Sequence, residues 1–428
     1  MILIAGAGLC GLSAAYYLGD KDYRIIERSD RPGGLCRTEQ RGAFSFDYGG
    51  HLLHLRDEHV KRLVRELLGE GLFHHRRRAS IFSKGVFTPY PFQANTHGLP
   101  AEVVRDCLLG YFEAMLRSLA SSSSPDNFHD WLLANFGRGF AKHFFLPFNQ
   151  KFFKSDLTDM SYEWAGWAIP RPSLREMVNG SLGLQESEFG YNIEFYYPAG
   201  GIEDLPRAFA ERLSRPVETG VELARVFLLE HQAELSTGER ALYNKLITSL
   251  PLDRLLASLS GAPAEIVEAG KRLRVLSVVC VNLGIEGPPL SDRHWIYFPE
   301  PEFPFHRIGF YSNARGIGPD KSSLYLELTL PGPVGPEAEH SIRELSEQAV
   351  AAFTGMPLFD GSRHRIEVVE TMTIPHAYVV FDRFRAENLP RIFAYLREHD
   401  IEPVGRYGLW EYSTMEEAIR QGRLATLE

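Results

Sequence analysis

The spacing of apolar and polar positions changes several times along the chain, and each change marks an element. Ile2–Ala5 is a short unbroken apolar run, the pattern of a parallel strand buried on both faces. Gly11–Leu18 has helical composition and Tyr23–Glu27 returns to strand character, so the chain opens with a β-α-β unit. From residue 100 the period lengthens. Ala101–Leu119 and Phe128–Phe136 read as helices, separated by the linker Ser121-Ser122-Ser123-Ser124-Pro125. Strand-like segments resume at Val221–Leu229, Lys245–Ser249 and Val275–Leu283, then at Ile308–Ser312, Leu324–Leu330 and Arg365–Thr373. The tail, Val404–Glu428, reads as a glycine-bounded turn followed by a helix.

This order predicts an α/β fold in three parts. A discontinuous Rossmann-like nucleotide-binding domain is expected from 1–80, 190–275 and 395–428, whose cofactor its motifs identify. A helical insertion takes 100–189, and 81–99 with 276–394 form a mainly antiparallel β-sheet substrate domain. A length of 428 residues fits more than one core. The net charge of −9 argues against nucleic acid or an anionic membrane as a partner. The 4 cysteines (Cys10, Cys36, Cys107, Cys280) are scattered, with no C-x-x-C and no Cys/His cluster, so neither a disulfide framework nor a metal site is expected. The N-terminal apolar run has no preceding Lys or Arg and is interrupted by glycines, so it reads as fold and not as a signal peptide. No run is long enough to span a bilayer, and the expected location is the cytoplasm.

The first chemistry lies in Gly6-Ala7-Gly8-Leu9-Cys10-Gly11. Gly6 and Gly8 let the backbone approach a pyrophosphate, Gly11 lets the helix pack on the strand, and the helix N-terminus favours negative charge. Glu27 closes the second strand about 20 residues on, where an acid can hold a ribose hydroxyl. Arg28 follows it, then Gly33-Gly34-Leu35 and Gly49-Gly50-His51. That order resembles the amine-oxidase-like flavoprotein superfamily and implies FAD in preference to NAD.

Four distant segments narrow the resemblance. They are Pro89-Tyr90-Pro91-Phe92-Gln93; Pro147-Phe148-Asn149-Gln150-Lys151 with Met160 and Trp164; His294-Trp295-Ile296-Tyr297 running to Arg307 and Asn313; and His376-Ala377-Tyr378 with Gly405 to Tyr412. Together they resemble the UDP-galactopyranose mutase family. The resemblance implies that reduced FAD, supplied with electrons by an external reductant such as NAD(P)H, attacks the anomeric carbon of a UDP-linked sugar through N5. Pyranose and furanose forms then interconvert with no net redox change. By the same resemblance, Arg307, Tyr297, Tyr378 and Tyr412 contact the diphosphate and sugar, with Trp295 close by. Phe148, Asn149, Phe153 and Gln93 match uridine-site positions, His51 lies beside the flavin, and Gly405, Arg406 and Met415 complete the FAD contacts. These residue types suit a diphosphate, since phenols donate to phosphate and Arg307 offers a planar fork. Taken singly, each of these aromatics would read as core or surface; their joint placement carries the assignment. The run His74-His75-Arg76-Arg77-Arg78 reads as a solvated basic patch outside the site.

One departure stands out. In the family an essential arginine follows the tryptophan that matches Trp164, and that position here is Ala168. Arg171, three residues on, is the candidate replacement, since a charge-assisted contact to a diphosphate contributes about 1.5–3 kcal/mol. Ser413-Thr414-Met415 and Val379-Val380-Phe381 also depart from the family pattern, which marks a divergent member. Two other readings use the same fold: an amine-oxidase-like oxidoreductase or desaturase, and a catalytically silent relative that binds nucleotide sugar. Sugar, nucleotide and oligomeric state stay open at this level.

Overall fold

The computed structural model describes residues 1–120, 124–184, 189, 190, 192–316, 318 and 320–427. Ser121–Ser123 of the expected linker and the terminal Glu428 lie outside the described residues. The β-α-β unit forms with the expected strands, Ile2–Ala5 and Tyr23–Glu27, around a helix at Leu9–Leu18. These strands belong to a parallel five-stranded sheet ordered Ile401–Pro403, Lys245–Thr248, Ile2–Ala5, Tyr23–Glu27, Glu218–Thr219. It draws on three distant stretches of chain because a parallel neighbour needs a crossover. The tail helix, Met415–Leu424, packs back on the first helix and closes this layer.

Between 101 and 181 the described residues are mainly helical. Ala101–Ala120 buries Val103, Cys107, Gly110 and Ala114, a stripe spaced four, three and four residues apart that faces the core. It crosses the helix Phe128–Phe140 at glycines: a Cβ on Gly139 would overlap the Asp106 carbonyl. Asn127 caps the second helix, accepting from the Asp130 N–H at 2.9 Å. Leu146–Phe153, the short helix Ala165–Ala168 and Leu174–Ser181 follow.

The third layer is a seven-stranded sheet ordered Arg365–Val379, Val275–Glu286, Lys321–Gly332, Arg307–Phe310, Trp295–Tyr297, Ala79–Ser83, Val86–Pro89. All its pairings are antiparallel except that of Trp295–Tyr297 with Ala79–Ser83. Val275–Leu283 is buried at every position, which explains its unbroken apolar run. The expected strand Val221–Leu229 shortens to Leu223–Phe227 and joins a separate four-stranded sheet through a pairing with Gln232–Leu235.

The basic run departs from expectation. Leu72–Arg76 is a strand paired with Glu194–Pro198, and Arg77 is buried at 7% exposure. Its guanidinium donates to the Asn192 side chain and to the Phe189 carbonyl, and lies 4.8 Å from the Tyr90 ring centre. Pairing of the strand turns Arg77 inward, while Arg78 and His74 remain exposed.

Candidate active site

The turn between the first strand and first helix forms one wall. A Cβ on Gly11 would overlap the Gly6 carbonyl, so only glycine lets the helix start this close to the turn. Gly8 faces the Gly34 Cα, and the Gly33 N–H donates to the Ala7 carbonyl at 2.8 Å, which brings the two glycine turns together. Glu27 ties them down. Its carboxylate accepts the Ala7 and Ser29 N–H groups at 2.9 Å each, and each oxygen retains a lone pair for a ribose hydroxyl. Gly405 sits against Cys10 at the start of the first helix, and Met415 begins the tail helix and packs beside it. Leu35 packs under Phe44 and Phe46, and Arg28 is exposed. This cradle, open-backboned and close to a helix N-terminus, fits a dinucleotide.

The opposite wall comes from the seven-stranded sheet. Antiparallel register sets Arg307 opposite both Tyr297 and Glu327. The Arg307 Nε–H donates to Glu327 Oε2 at 2.8 Å, and Nη2 donates to the same oxygen. The Tyr378 hydroxyl donates to Oε1 at 3.1 Å, and His306 Nε2 lies 3.3 Å from it. Glu327 is 1% exposed. Burial pushes its carboxyl upward, but Arg307 and His306 overcome that and hold it below the usual carboxylate range. Burial would favour a neutral Arg307, yet Glu327 holds it firmly charged. Burial, then Glu327, raises the Tyr378 phenol well above its ordinary value, so it remains a donor.

Aromatic rings bridge the walls. Tyr297 contacts Tyr90 and Phe148 at ring separations of 5.6 and 5.5 Å. Phe152 lies 4.7 Å from Tyr378, Tyr378 6.4 Å from Tyr412, and Tyr412 5.4 Å from Trp164, which packs on Phe153 at 5.5 Å. The Arg406 guanidinium is 5.7 Å from the Tyr378 ring and donates to the Ser413 carbonyl at 2.7 Å. At the turn Gly49-Gly50-His51, a Cβ on Gly50 would overlap the Tyr325 hydroxyl and lie 3.5 Å from Arg307 Nη2. His51 therefore sits beside the Arg307 cluster. Burial, then Arg406 and Arg307, lowers its pKa to about 4, so the ring is neutral.

The structure thus brings together Arg307, His51, Phe148, Phe153, Tyr297, Tyr378, Tyr412 and Arg406. Other expected residues sit differently. Trp295 is buried beside Phe195, Tyr197 and Ala314. Asn149 turns its amide back onto the Phe145 carbonyl at 2.7 Å, one helical turn away. Gln93 donates to the Pro170 carbonyl at 2.6 Å and so touches the segment that carries Ala168. Arg171 is exposed and donates to Asn135 at 3.3 Å; among the described residues no hydrogen bond joins it to the Arg307 cluster. Sequence reasoning missed Glu327, Tyr325 and Arg77. A lone Glu inside the apolar strand Leu324–Leu330 was the available signal for the first.

Comparison with known proteins places this geometry. Residues 9–362 match the family model described as flavin containing amine oxidoreductase. A crystal structure of reduced UDP-galactopyranose mutase superposes with a TM-score of 0.90 at 26% identity, covering 99% of this chain and 92% of that one. A putative protoporphyrinogen oxidase from Exiguobacterium sp. 255-15 follows with a TM-score of 0.75 at 16% identity, over 100% of this chain and 97% of that one, a likeness of fold. A phytoene desaturase (neurosporene-forming) from Rhodobacter capsulatus is 40% identical over 57 residues, 13% of this chain, so the match covers only 11% of that relative's length.

Proposed function

Since the chain belongs to the flavin containing amine oxidoreductase family, we propose that it is a flavin-dependent mutase interconverting the pyranose and furanose forms of a UDP-linked sugar. One observation carries this reading. The candidate substrate wall is built from a buried Glu327 paired with a partly exposed Arg307 and ringed by tyrosines, a surface that suits a diphosphate better than an apolar amine or polyene. The likeness to UDP-galactopyranose mutase over 99% of the chain supports it.

Bound FAD in reduced form would supply the nucleophile, held by the Gly6–Gly11 turn, Glu27, the Gly33-Gly34 turn and the Gly405 turn. The chain's own residues do the rest. Glu327 takes two of the five N–H donors of Arg307 and fixes the fork, leaving the others to neutralise the departing diphosphate. Burial raises the pKa of the Tyr378 and Tyr412 phenols, so both donate and do not repel the anion, and Tyr297 stands opposite Arg307. Tyr90 and Phe148 flank Tyr297 and offer faces to a uracil ring. With Arg171 turned onto Asn135, Arg307 is the guanidinium that this reading assigns to the diphosphate.

The test incubates dithionite-reduced holoprotein with UDP-galactose and other UDP-hexoses and follows the furanose product by chromatography. Turnover without flavin oxidation is the expected result. Stoichiometric flavin reduction by an amine or polyene, or tight UDP binding without turnover, would sink the proposal in favour of an oxidoreductase or a silent relative.

A further inference from the structure

The helix Leu146–Phe153 brings Phe148 and Phe152 to the sheet wall, and Lys151 fastens it there. Lys151 Nζ donates to the Phe298 carbonyl at 2.8 Å, to the Glu300 carbonyl, and more weakly to the Phe305 carbonyl at 3.4 Å. All three oxygens belong to the loop that joins Trp295–Tyr297 to Arg307–Phe310. An ammonium has three N–H donors, so the main chain of this loop can occupy it fully. Burial lowers its pKa to about 8 while Glu300 opposes the shift, so it stays charged at pH 7. The Glu300 carboxylate itself is engaged elsewhere. It accepts the Ser83 hydroxyl at 2.6 Å and the Lys84 N–H at 3.0 Å, and pairs with Lys84 Nζ at 3.2 Å. The hairpin of Ala79–Ser83 and Val86–Pro89 thus holds the far side of the loop, and the oxygens offered to Lys151 are fixed.

The same helix has a second tether. The Thr329 hydroxyl donates to the Phe152 carbonyl at 2.6 Å, with the Lys151 carbonyl at 3.1 Å, in the last turn, where helix carbonyls lack partners of their own. Thr329 follows Glu327 by two positions on Lys321–Gly332 and so shares its face of the sheet. Between the tethers the rings meet the wall. Phe148 lies 5.5 Å from Tyr297 and 6.2 Å from His306, and Phe152 lies 4.9 Å from His306 and 4.7 Å from Tyr378. Arg307 is anchored differently, by Glu327 across the sheet. The wall therefore has two separate supports, one for its cation and one for its aromatic helix.

We propose that Lys151 is a positioning residue for the nucleotide half of the site: by gripping the loop between Tyr297 and Arg307 it holds the Phe148 face beside Tyr297, where a base is received. It touches neither the base nor the diphosphate. Without the ammonium, the loop carbonyls and the helix lose their common tie, and the Phe148 face loses its definition while the Arg307–Glu327 pair persists. A ligand that uses both halves of the site, such as UDP, then loses affinity. Pyrophosphate, which carries no base, does not. The inference rests on the UDP-sugar reading, and wild-type binding separates the failure of one from the failure of the other.

The experiment measures UDP and pyrophosphate binding to FAD-loaded protein by calorimetry. Wild-type protein is expected to bind UDP more tightly than pyrophosphate, and Phe148→Ala to remove most of the difference. Lys151→Met, which keeps the apolar stem, is expected to weaken UDP binding about tenfold and to leave pyrophosphate binding unchanged. Combined with Phe148→Ala it should add little further loss, because both changes act on one ring. Lys151→Gln, with an amide N–H for one carbonyl, should show the same split at smaller size. Wild-type protein that fails to bind UDP overturns the nucleotide reading and this inference with it. Unchanged UDP binding by Lys151→Met overturns the inference alone. So does full additivity with Phe148→Ala, or loss of both ligands in both Lys151 variants, which would mark a general staple of the fold.

Discussion

Among single residues, Arg307 and Glu327 matter most. Replacing Arg307 by Lys keeps the charge but loses the fork, and kcat/KM for a UDP-sugar is expected to fall about 10- to 100-fold, the equivalent of about 1.5–3 kcal/mol. Glu327→Ala would leave the partly buried Arg307 guanidinium without its carboxylate partner. Urea unfolding should then show a loss of about 3–5 kcal/mol, and a loss under 1 kcal/mol would refute the pairing as a structural anchor. The pH dependence has a definite sign. His51 and His294 have folded pKa values of about 4 and about 3, below the unfolded value of about 6.5. The stability they contribute is present above pH ~6.5 and is lost as pH falls through the folded values. Asp47, raised by burial to about 6, acts in the opposite sense: its contribution is present below the unfolded value of about 3.9 and lost as pH rises through 6. Two histidines against one aspartate give a net loss of stability on acidification from pH 7 to 4. His294→Asn should make that loss shallower, as read from unfolding free energies across pH.

Among the elements, the short helix Ala165–Ala168 and the crossing of the two long helices are the informative places. Ala168 is half-buried at the end of that helix, two residues before the Pro170 carbonyl that Gln93 holds. Ala168→Arg is expected to tighten UDP binding about tenfold or more by calorimetry; unchanged affinity would mean that the helix does not face the diphosphate. At the crossing, Gly139 abuts the Asp106 carbonyl, so Gly139→Ala should cost about 1–3 kcal/mol through forced separation of the helices. Legibility also divides by element. Elements whose burial follows their own period, such as Ile2–Ala5 and Tyr23–Glu27, have the predicted bounds. Leu223–Phe227 is shorter than its β-like pattern because the chain turns after Phe227 to pair back with Gln232–Leu235. Arg77 reads as solvated because five consecutive basic and imidazole residues look like a surface run, and only strand pairing with Glu194–Pro198 turns it inward.

Over the full fold, the site lies where the parallel sheet, the helical insertion and the antiparallel sheet meet. The cofactor cradle itself draws on both ends of the chain, through Gly11 and Gly405. Ligand binding there should therefore stabilise all three layers by mass action: FAD added to apoprotein is expected to raise Tm. Gly11→Val should abolish both the shift and the bound-flavin absorbance, and retention of either would contradict the cradle.

Local spacing was enough to specify the glycine turn and the order of the elements, whereas the residues proposed for the substrate wall came from the family resemblance and did not include Glu327. A glycine turn before a helix, an acid closing a strand and aromatics in motifs that keep their order are all visible in the chain as written. Which of those residues meet depended on packing. Arg307 and Glu327 are 20 residues apart and become partners only through antiparallel register. Asn149 is occupied by its own helix, and Arg171 by Asn135. His51 and His294, 243 positions apart in the sequence, come to line one small pocket. Hydrogen-bond partners and burial are properties of packing, and packing depends on contacts between segments that no local pattern encodes.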